Sequence, residues 1–145
     1  MNIIIGSDHA GYDLKEECKS YLQRIGIHRV TDIGAFNRES IDYPRIAHQV
    51  AAAVEKGEYE RGILVCGTGI GMSMTANRHA GVRAAPCLDL YSARMSRLHN
   101  DANILALGGR VLGVGLALEI LDVFLKTPFE GGRHKSRIDQ IECRL

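Results

Sequence analysis

An open three-layer α/β/α sandwich around a five-stranded parallel sheet is the fold this sequence predicts. Three observations lead there. Short apolar runs that suit buried strands alternate along the chain with amphipathic stretches at helical spacing. Strands separated by helices pair in parallel through right-handed crossovers. Glycine-rich or polar turns follow several of the strand runs, where open parallel sheets receive ligands.

The elements follow in order. Ile3-Ile4-Ile5 is a short buried strand, and Gly11 to Ile25 is a helix in which Leu14, Cys18 and Leu22 recur on one face. That spacing makes Cys18 a core thiol. Val30 to Ile33 is the second strand, and a polar loop through Asn37 to Ser40 leads to Tyr43-Pro44. Pro44 suits the first turn of a helix, which runs to about Lys56 and stops at Gly57. Gly62 to Val65 and Val82 to Ala85 are strands three and four. Leu90 to Leu98 is helical, Ile104 to Leu107 is strand five, and Val114 to Lys126 is the next helix. Gly131-Gly132 breaks the chain before an arginine-rich C-terminal helix, about residues 131–145. The order is that of a Rossmann-like sandwich. No linker or repeat separates a second domain, so residues 1–145 form one domain.

Composition narrows the function. With 145 residues, 46% hydrophobic and 24% charged, the chain can bury a real core. A net charge of +1 gives no field toward nucleic acid or anionic membranes. No apolar run approaches the length of a bilayer span, and the first residues enter a strand directly rather than forming a secretory signal. The four cysteines show no C-x-x-C pairing, which fits reduced thiols in a cytoplasm.

Chemistry concentrates in Cys66-Gly67-Thr68-Gly69-Ile70-Gly71. A thiol ends strand three, glycines let the backbone turn and approach a ligand closely, and Met72 to Asn77 can start a helix. A helix N-terminus offers unpaired N–H groups to an anion, and the same field favours the thiolate of a nearby cysteine. Around this loop the sequence sets Ser7-Asp8-His9 after strand one, Cys87 and Asp89 after strand four, His99-Asn100-Asp101 before strand five and Gly108-Gly109-Arg110 after it. These groups are expected to collect on one edge of the sheet, with Arg133 and Arg137 at i, i+4 as an anion-binding pair. Each has a plainer alternative. Asp8 can cap the first helix, His99 can sit at a helix end for its dipole, Asn100-Asp101 can be turn chemistry, and the arginines can form a solvated face. Cys87 lacks a glycine cradle, and Cys143, in the terminal helix, has no evident role.

Taken together the motifs resemble the ribose-5-phosphate isomerase B family. They are Gly6-Ser7-Asp8-His9-Ala10-Gly11, Asp42-Tyr43-Pro44, the Cys66 to Gly71 loop, His99-Asn100-Asp101-Ala102-Asn103, Gly108-Gly109-Arg110 and Phe129-Glu130-Gly131-Gly132-Arg133-His134, in order and with matching spacing over residues 3 to about 141. The resemblance implies reversible isomerisation of ribose 5-phosphate and ribulose 5-phosphate through an enediolate, without metal or organic cofactor. It implies a homodimer or a tetramer, with His99, Asn100 and Arg110 reaching the site of a neighbouring subunit. Cys66 would be the proton-transfer base, His99 with Asp8 would open the sugar ring, and Thr68 would assist at a sugar oxygen. The enediolate would sit against N–H groups of Gly67, Gly69, Ile70 and Gly71 and the Asn100 side chain. Arg133, Arg137 and Arg110, helped by His9, would bind phosphate, while Tyr43 and Ser73 complete the substrate contacts. Met72 stands where some relatives carry a glutamate base, which groups this chain with the cysteine type. Because it keeps both Cys66 and His99, it differs from galactose-6-phosphate isomerase subunits that divide these residues between two chains.

Other readings compete. A six-carbon substrate such as allose 6-phosphate fits the same chemistry. A nucleotide-binding module would use Asp89, about twenty residues beyond the glycine loop, as its ribose-binding acid, but the loop is G-x-G-x-G and follows the third strand. A thiol redox protein would need a resolving cysteine near Cys66, and none is close in sequence.

Overall fold

A computed structural model describes residues 1–142, so Cys143 lies outside the described residues. The strands are β1 (Asn2–Ser7), β2 (Arg29–Asp32), β3 (Arg61–Cys66), β4 (Ala84–Pro86) and β5 (Ile104–Gly108). The helices are α1 (Tyr12–Ile25), α2 (Tyr43–Glu55), α3 (Ile70–Ala76), α4 (Leu90–Leu98), α5 (Val114–Lys126) and α6 (Arg133–Ile138). All strands are parallel, in the order β2-β1-β3-β5-β4. The five-stranded α/β sandwich expected from the sequence is the one observed.

The sheet is covered on both faces. On one, Ile3, Ile5, Val65 and Leu107 pack against Leu14, Cys18 and Leu22 of α1 and Ile120, Leu121 and Phe124 of α5. On the other, Ile4, Leu64 and Ile104 meet Ile46, Ala47, Val50 and Ala51 of α2 and Met72 and Ala76 of α3. Double coverage explains why the central strands read as continuous apolar runs. Cys18 is fully buried, and burial pushes its thiol up to about 12, so it stays protonated.

Most boundaries shift by a residue or two, and two of the shifts have a plain local cause. Strand four starts at Ala84, not Val82, because Val82 is still in a turn closed by its N–H to the His79 carbonyl at 3.2 Å. Among the described residues, the arginine-rich C-terminal helix expected over 131–145 covers Arg133–Ile138, and positions 143–145 of that expectation lie outside the described residues. The preceding turn holds Gly131 and Gly132 at φ 71° and 54°, and so starts the helix later.

Strand order reverses between β1 and β3, so their carboxyl ends flank the crevice where such sheets bind ligands. An ion cluster fixes one wall. Lys15, with no exposed side-chain surface, is 2.7 Å from Asp32 Oδ2, and Lys19 is 2.8 Å from the same oxygen. Asp32 Oδ1 accepts the Gly34 N–H at 2.9 Å. The Gly34 carbonyl and the Ala35 N–H then pair with Ser7, directly before Asp8 and His9. Burial pushes the Asp32 carboxyl upward, but the hydrogen bonds from Lys15, Lys19 and Gly34 together hold it below the ordinary carboxylate value.

Asp32→Asn should therefore destabilise the fold by about 3 kcal/mol, because Lys15 stays buried with a weakened set of partners. A carboxyl depressed in the folded state adds stability above its unfolded value and loses it as pH falls through the lower folded value. Urea unfolding of both proteins from neutral to acidic pH should show the wild-type advantage shrinking below the ordinary carboxylate range.

Candidate active site

Cys66 ends β3 in a buried position, and the Gly69 N–H donates to its Sγ at 3.1 Å. The bend that brings Gly69 back needs φ of 81°, the left-handed region that suits glycine. Gly71 is required for another reason. A Cβ there would lie 2.7 Å from the Tyr43 ring, which covers the loop from the start of α2. Gly67 meets no such demand, since an added Cβ would touch Arg110 and Ala10 only at 3.6–3.7 Å.

The loop's donors are not all available. Gly69 N–H serves the sulfur, and Ile70 N–H reaches Thr68 Oγ1 at 3.3 Å. Among the described residues, the N–H groups of Gly67 and Gly71 have no protein acceptor. Of the four expected donors, Gly67 and Gly71 are thus the two whose N–H is not already engaged within the chain. Ser73 also departs from expectation: its buried hydroxyl donates to the Ile70 carbonyl at 2.8 Å and braces the loop from behind.

Asp8 and His9 flank this thiol from β1. Asp8 is buried, and its Oδ1 accepts the Gly11 N–H at 2.9 Å, a turn bond just ahead of α1. His9 Nδ1 accepts the Ile41 N–H at 3.3 Å, which leaves Nε2 to carry the proton of the neutral ring. Arg110 follows β5; its N–H donates to the Gly67 carbonyl at 3.0 Å and its side chain runs beside Gly67. It reaches this loop from its own chain and needs no neighbour to do so.

The remaining candidates lie elsewhere. His99, Asn100 and Asp101 precede β5, whereas Cys66 pairs with Gly108 at its far end. In a parallel sheet those are opposite edges. The Asn103 carbonyl accepts from Gly62 at the start of β3, and Arg83 before β4 donates to the Asn100 and Asp101 carbonyls. The one-edge expectation is therefore corrected: about 13 Å of strand separates the two groups. Arg133 and Arg137 stay with His99, because the Glu130 N–H donates to the Leu98 carbonyl and the His134 ring stacks on His99 with centroids 4.1 Å apart. On α6, His134 and Ile138 are buried and Arg133 and Arg137 exposed. Burial, and next the charge of His99, push His134 below the ordinary imidazole value, so it is neutral near pH 7.

Sequence reasoning missed the clamp that shapes this second group. Asp101 takes φ of 44°, held by Arg97 Nη1 on Oδ1 at 2.7 Å and Arg83 Nη2 on Oδ2 at 3.3 Å. Arg97 is buried and packs over the Phe124 ring. The i, i+4 spacing of Arg97 and Asp101 was the available signal. Glu130 lies 3.9 Å from His99 Nε2, a contact that its place in the Phe129 to His134 motif does not announce. Asp89 is also explained: both its oxygens cap α4 through Ser92, at 2.7 Å each. It is a helix cap, which removes the main support for a nucleotide-binding reading. Cys87 is buried, with burial pushing its thiol up to about 11.

A thiol, a glycine loop and a histidine at the switch point of an open parallel sheet make a candidate small-molecule site of the kind α/β enzymes carry. The chain matches the Ribose/Galactose Isomerase family model over residues 3–141. It is 49% identical over 139 residues to Ribose-5-phosphate isomerase B of Escherichia coli (strain K12), which covers 96% of this chain and 93% of the relative. The structure is similar to Clostridium thermocellum ribose-5-phosphate isomerase B, with a TM-score of 0.95, 55% identity and coverage of 97% and 95% of the two chains. It is also similar to Mycoplasma genitalium ribose-5-phosphate isomerase B with bound ribulose-5-phosphate, at a TM-score of 0.92 and 42% identity, covering 97% and 93%. This chain belongs to the ribose/galactose isomerase family, as its motifs led one to expect.

The loop geometry separates two glycines that look equivalent in sequence. Gly69→Ala should cost about 1–2 kcal/mol in urea unfolding because alanine is strained in the left-handed region. Gly67→Ala should cost about 0.5 kcal/mol or less, as at an unconstrained surface position. Equal losses would contradict the assigned backbone roles.

Proposed function

We propose that this protein interconverts ribose 5-phosphate and ribulose 5-phosphate in active sites built between two copies of the chain. Cys66, buried in the switch-point crevice with the Gly69 N–H on its sulfur, is the observation that carries the isomerase reading. The placement of His99, Arg133 and Arg137 on the opposite edge supports the shared site. Neither edge holds a complete set of groups, so one copy supplies Cys66, Thr68, Asp8, His9, Tyr43 and Arg110. The other supplies His99, Asn100, Arg133 and Arg137. The family resemblance alone assigned Arg110 to the second set; its contact with Gly67 supports the first.

The reaction begins from the closed sugar. His99 takes the proton of the anomeric hydroxyl and delivers it to the ring oxygen as the bond between that oxygen and C1 breaks, with Asp8 nearby across the interface. In the open aldose the Cys66 thiolate removes the proton from C2, next to the C1 carbonyl. The electron pair moves onto the carbonyl oxygen and forms the enediolate. Gly67 and Gly71 N–H groups with the Asn100 amide stabilise that charge; losing one such donor costs roughly 2.7–4 kcal/mol in comparable sites. The thiol returns the proton to C1, and Thr68 assists the transfer between the two oxygens. No step requires a metal or organic cofactor.

Phosphate binds at the far end. Arg133 and Arg137 offer planar guanidinium groups on the exposed face of α6, and His9 donates through Nε2. Anchoring the unreactive end holds C1 and C2 against the sulfur. Tyr43 lines the sugar pocket. Reduced thiols and a phosphorylated sugar substrate suit a cytoplasmic enzyme.

Mixing inactive variants tests the shared site directly. Cys66→Ala and His99→Asn homodimers should each be impaired by roughly 10²–10⁴-fold on ribose 5-phosphate. After dissociation and reassembly together, half the dimers are mixed and each has one intact site. Activity should then return to about a quarter of wild type. No recovery would place Cys66 and His99 in the same chain's site. Separately, Arg137→Ala should weaken binding of phosphorylated sugars far more than of free sugars, measured by the KM for each, and equal losses would remove Arg137 from the phosphate site.

A further inference from the structure

We propose that His99, Glu130 and His134 bind a zinc ion, and that zinc bound there inhibits the enzyme by occupying His99. The inhibitory half rests on the ring-opening role given to His99 above; the binding half does not. Each residue offers one ligand atom, and these atoms lie within 4.8 Å of one another. Glu130 Oε2 is 3.9 Å from His99 Nε2 and 3.8 Å from His134 Nε2. Both separations are too long for hydrogen bonds. The carboxylate is thus poised between two imidazoles without bonding to either.

His134 supplies the independent sign of a ligand. Its side chain is 6% exposed, yet Nε2 has no hydrogen-bond partner. A buried ring nitrogen left unpaired is costly, and a metal bond would satisfy it. Two histidines and one carboxylate are a donor set that zinc accepts, with solvent in the fourth position. Ligands at about 2.0–2.1 Å from a tetrahedral ion are roughly 3.3 Å apart, so each Glu130–histidine separation must close by about half an ångström and the histidine pair by up to about 1.5 Å. The stacked rings are nearly parallel, at 10°, and both cannot point at one ion until one tilts. His99 ends α4 and is partly exposed, and Glu130 is exposed in the turn before Gly131. These two residues can move toward His134, which stays in place. With its Nε2 on zinc, His99 has lost the lone pair that takes the anomeric proton. Zinc here is an inhibitor, not a cofactor.

The test uses the whole protein and zinc alone, in equilibrium dialysis, with cobalt(II) as a spectroscopic substitute. Wild type should bind zinc at a site whose affinity falls roughly tenfold or more in Glu130→Gln and in His134→Gln. Glu130 is exposed, so its variant stays informative if His134→Gln fails to fold. Cobalt should give the ligand-field bands of a four-coordinate nitrogen and oxygen site without a thiolate charge-transfer band. Unchanged zinc affinity in Glu130→Gln, or a thiolate band that accounts for all bound cobalt, would overturn the site. Zinc should slow wild type on ribose 5-phosphate at concentrations that leave Glu130→Gln active. Binding at the predicted site without inhibition would overturn the inhibitory half and count against His99 as the ring-opening group. Failure of binding would leave that role untouched.

Discussion

All five strands run in one direction, and this constraint sorts every functional group in the protein. A residue that follows a strand emerges at the carboxyl edge, and one that precedes it stays at the amino edge. Cys66 ends a strand, and Asp8, His9 and Arg110 follow strands; His99 and Asn100 precede one. α5 returns the chain antiparallel to the sheet, so Arg133 and Arg137 on α6 join the amino edge beside His99. One chain therefore carries two sets of candidate groups at opposite edges of its sheet. In the proposed reading, association is part of the chemistry: without a second copy, a base has no ring-opening partner and a phosphate site has no thiol.

Each half is held by its own charged scaffold. At the carboxyl edge, buried Lys15 and its partner Asp32 fix the loop that pairs with Ser7, and through it the position of Asp8 and His9. At the amino edge, Arg97 and Arg83 hold Asp101 in a left-handed turn that presents His99 and Asn100. Both devices place ion pairs one step behind the groups that would meet substrate. This gives fixed geometry without putting extra charge where an anionic sugar must bind. The Gly69 N–H on Cys66 works on a smaller scale, orienting the sulfur with a backbone dipole.

What the sequence revealed follows from the range of each interaction. Helix and strand positions were legible within a few residues because they depend on local periodicity, and Cys18 was recognisable as core from its i, i+4, i+8 companions. Local pattern failed at Val82, whose apolar side chain resembles a strand start while its N–H closes a turn. The candidate residues are legible as motifs, but their division between two edges is not, because residues close in sequence on either side of strand five lie at opposite ends of it. The Arg83 to Asp101 contact spans 18 positions, and no local pattern announces it. Glu130 is similar: only folding brings it between two histidines.

Asn77 has a consequence beyond its own neighbourhood. β4 borders the sheet, and its outer backbone would attract another chain's strand. The Asn77 amide instead pairs with both the N–H and the carbonyl of Ala84, at 2.8 and 2.9 Å, and Pro86 has no N–H to offer. A single side chain thus imitates a sixth strand and seals this border. Copies of the protein have no backbone ladder to continue there, so any assembly on this side must be read out by side chains. That makes self-recognition a matter of sequence rather than of generic β-pairing.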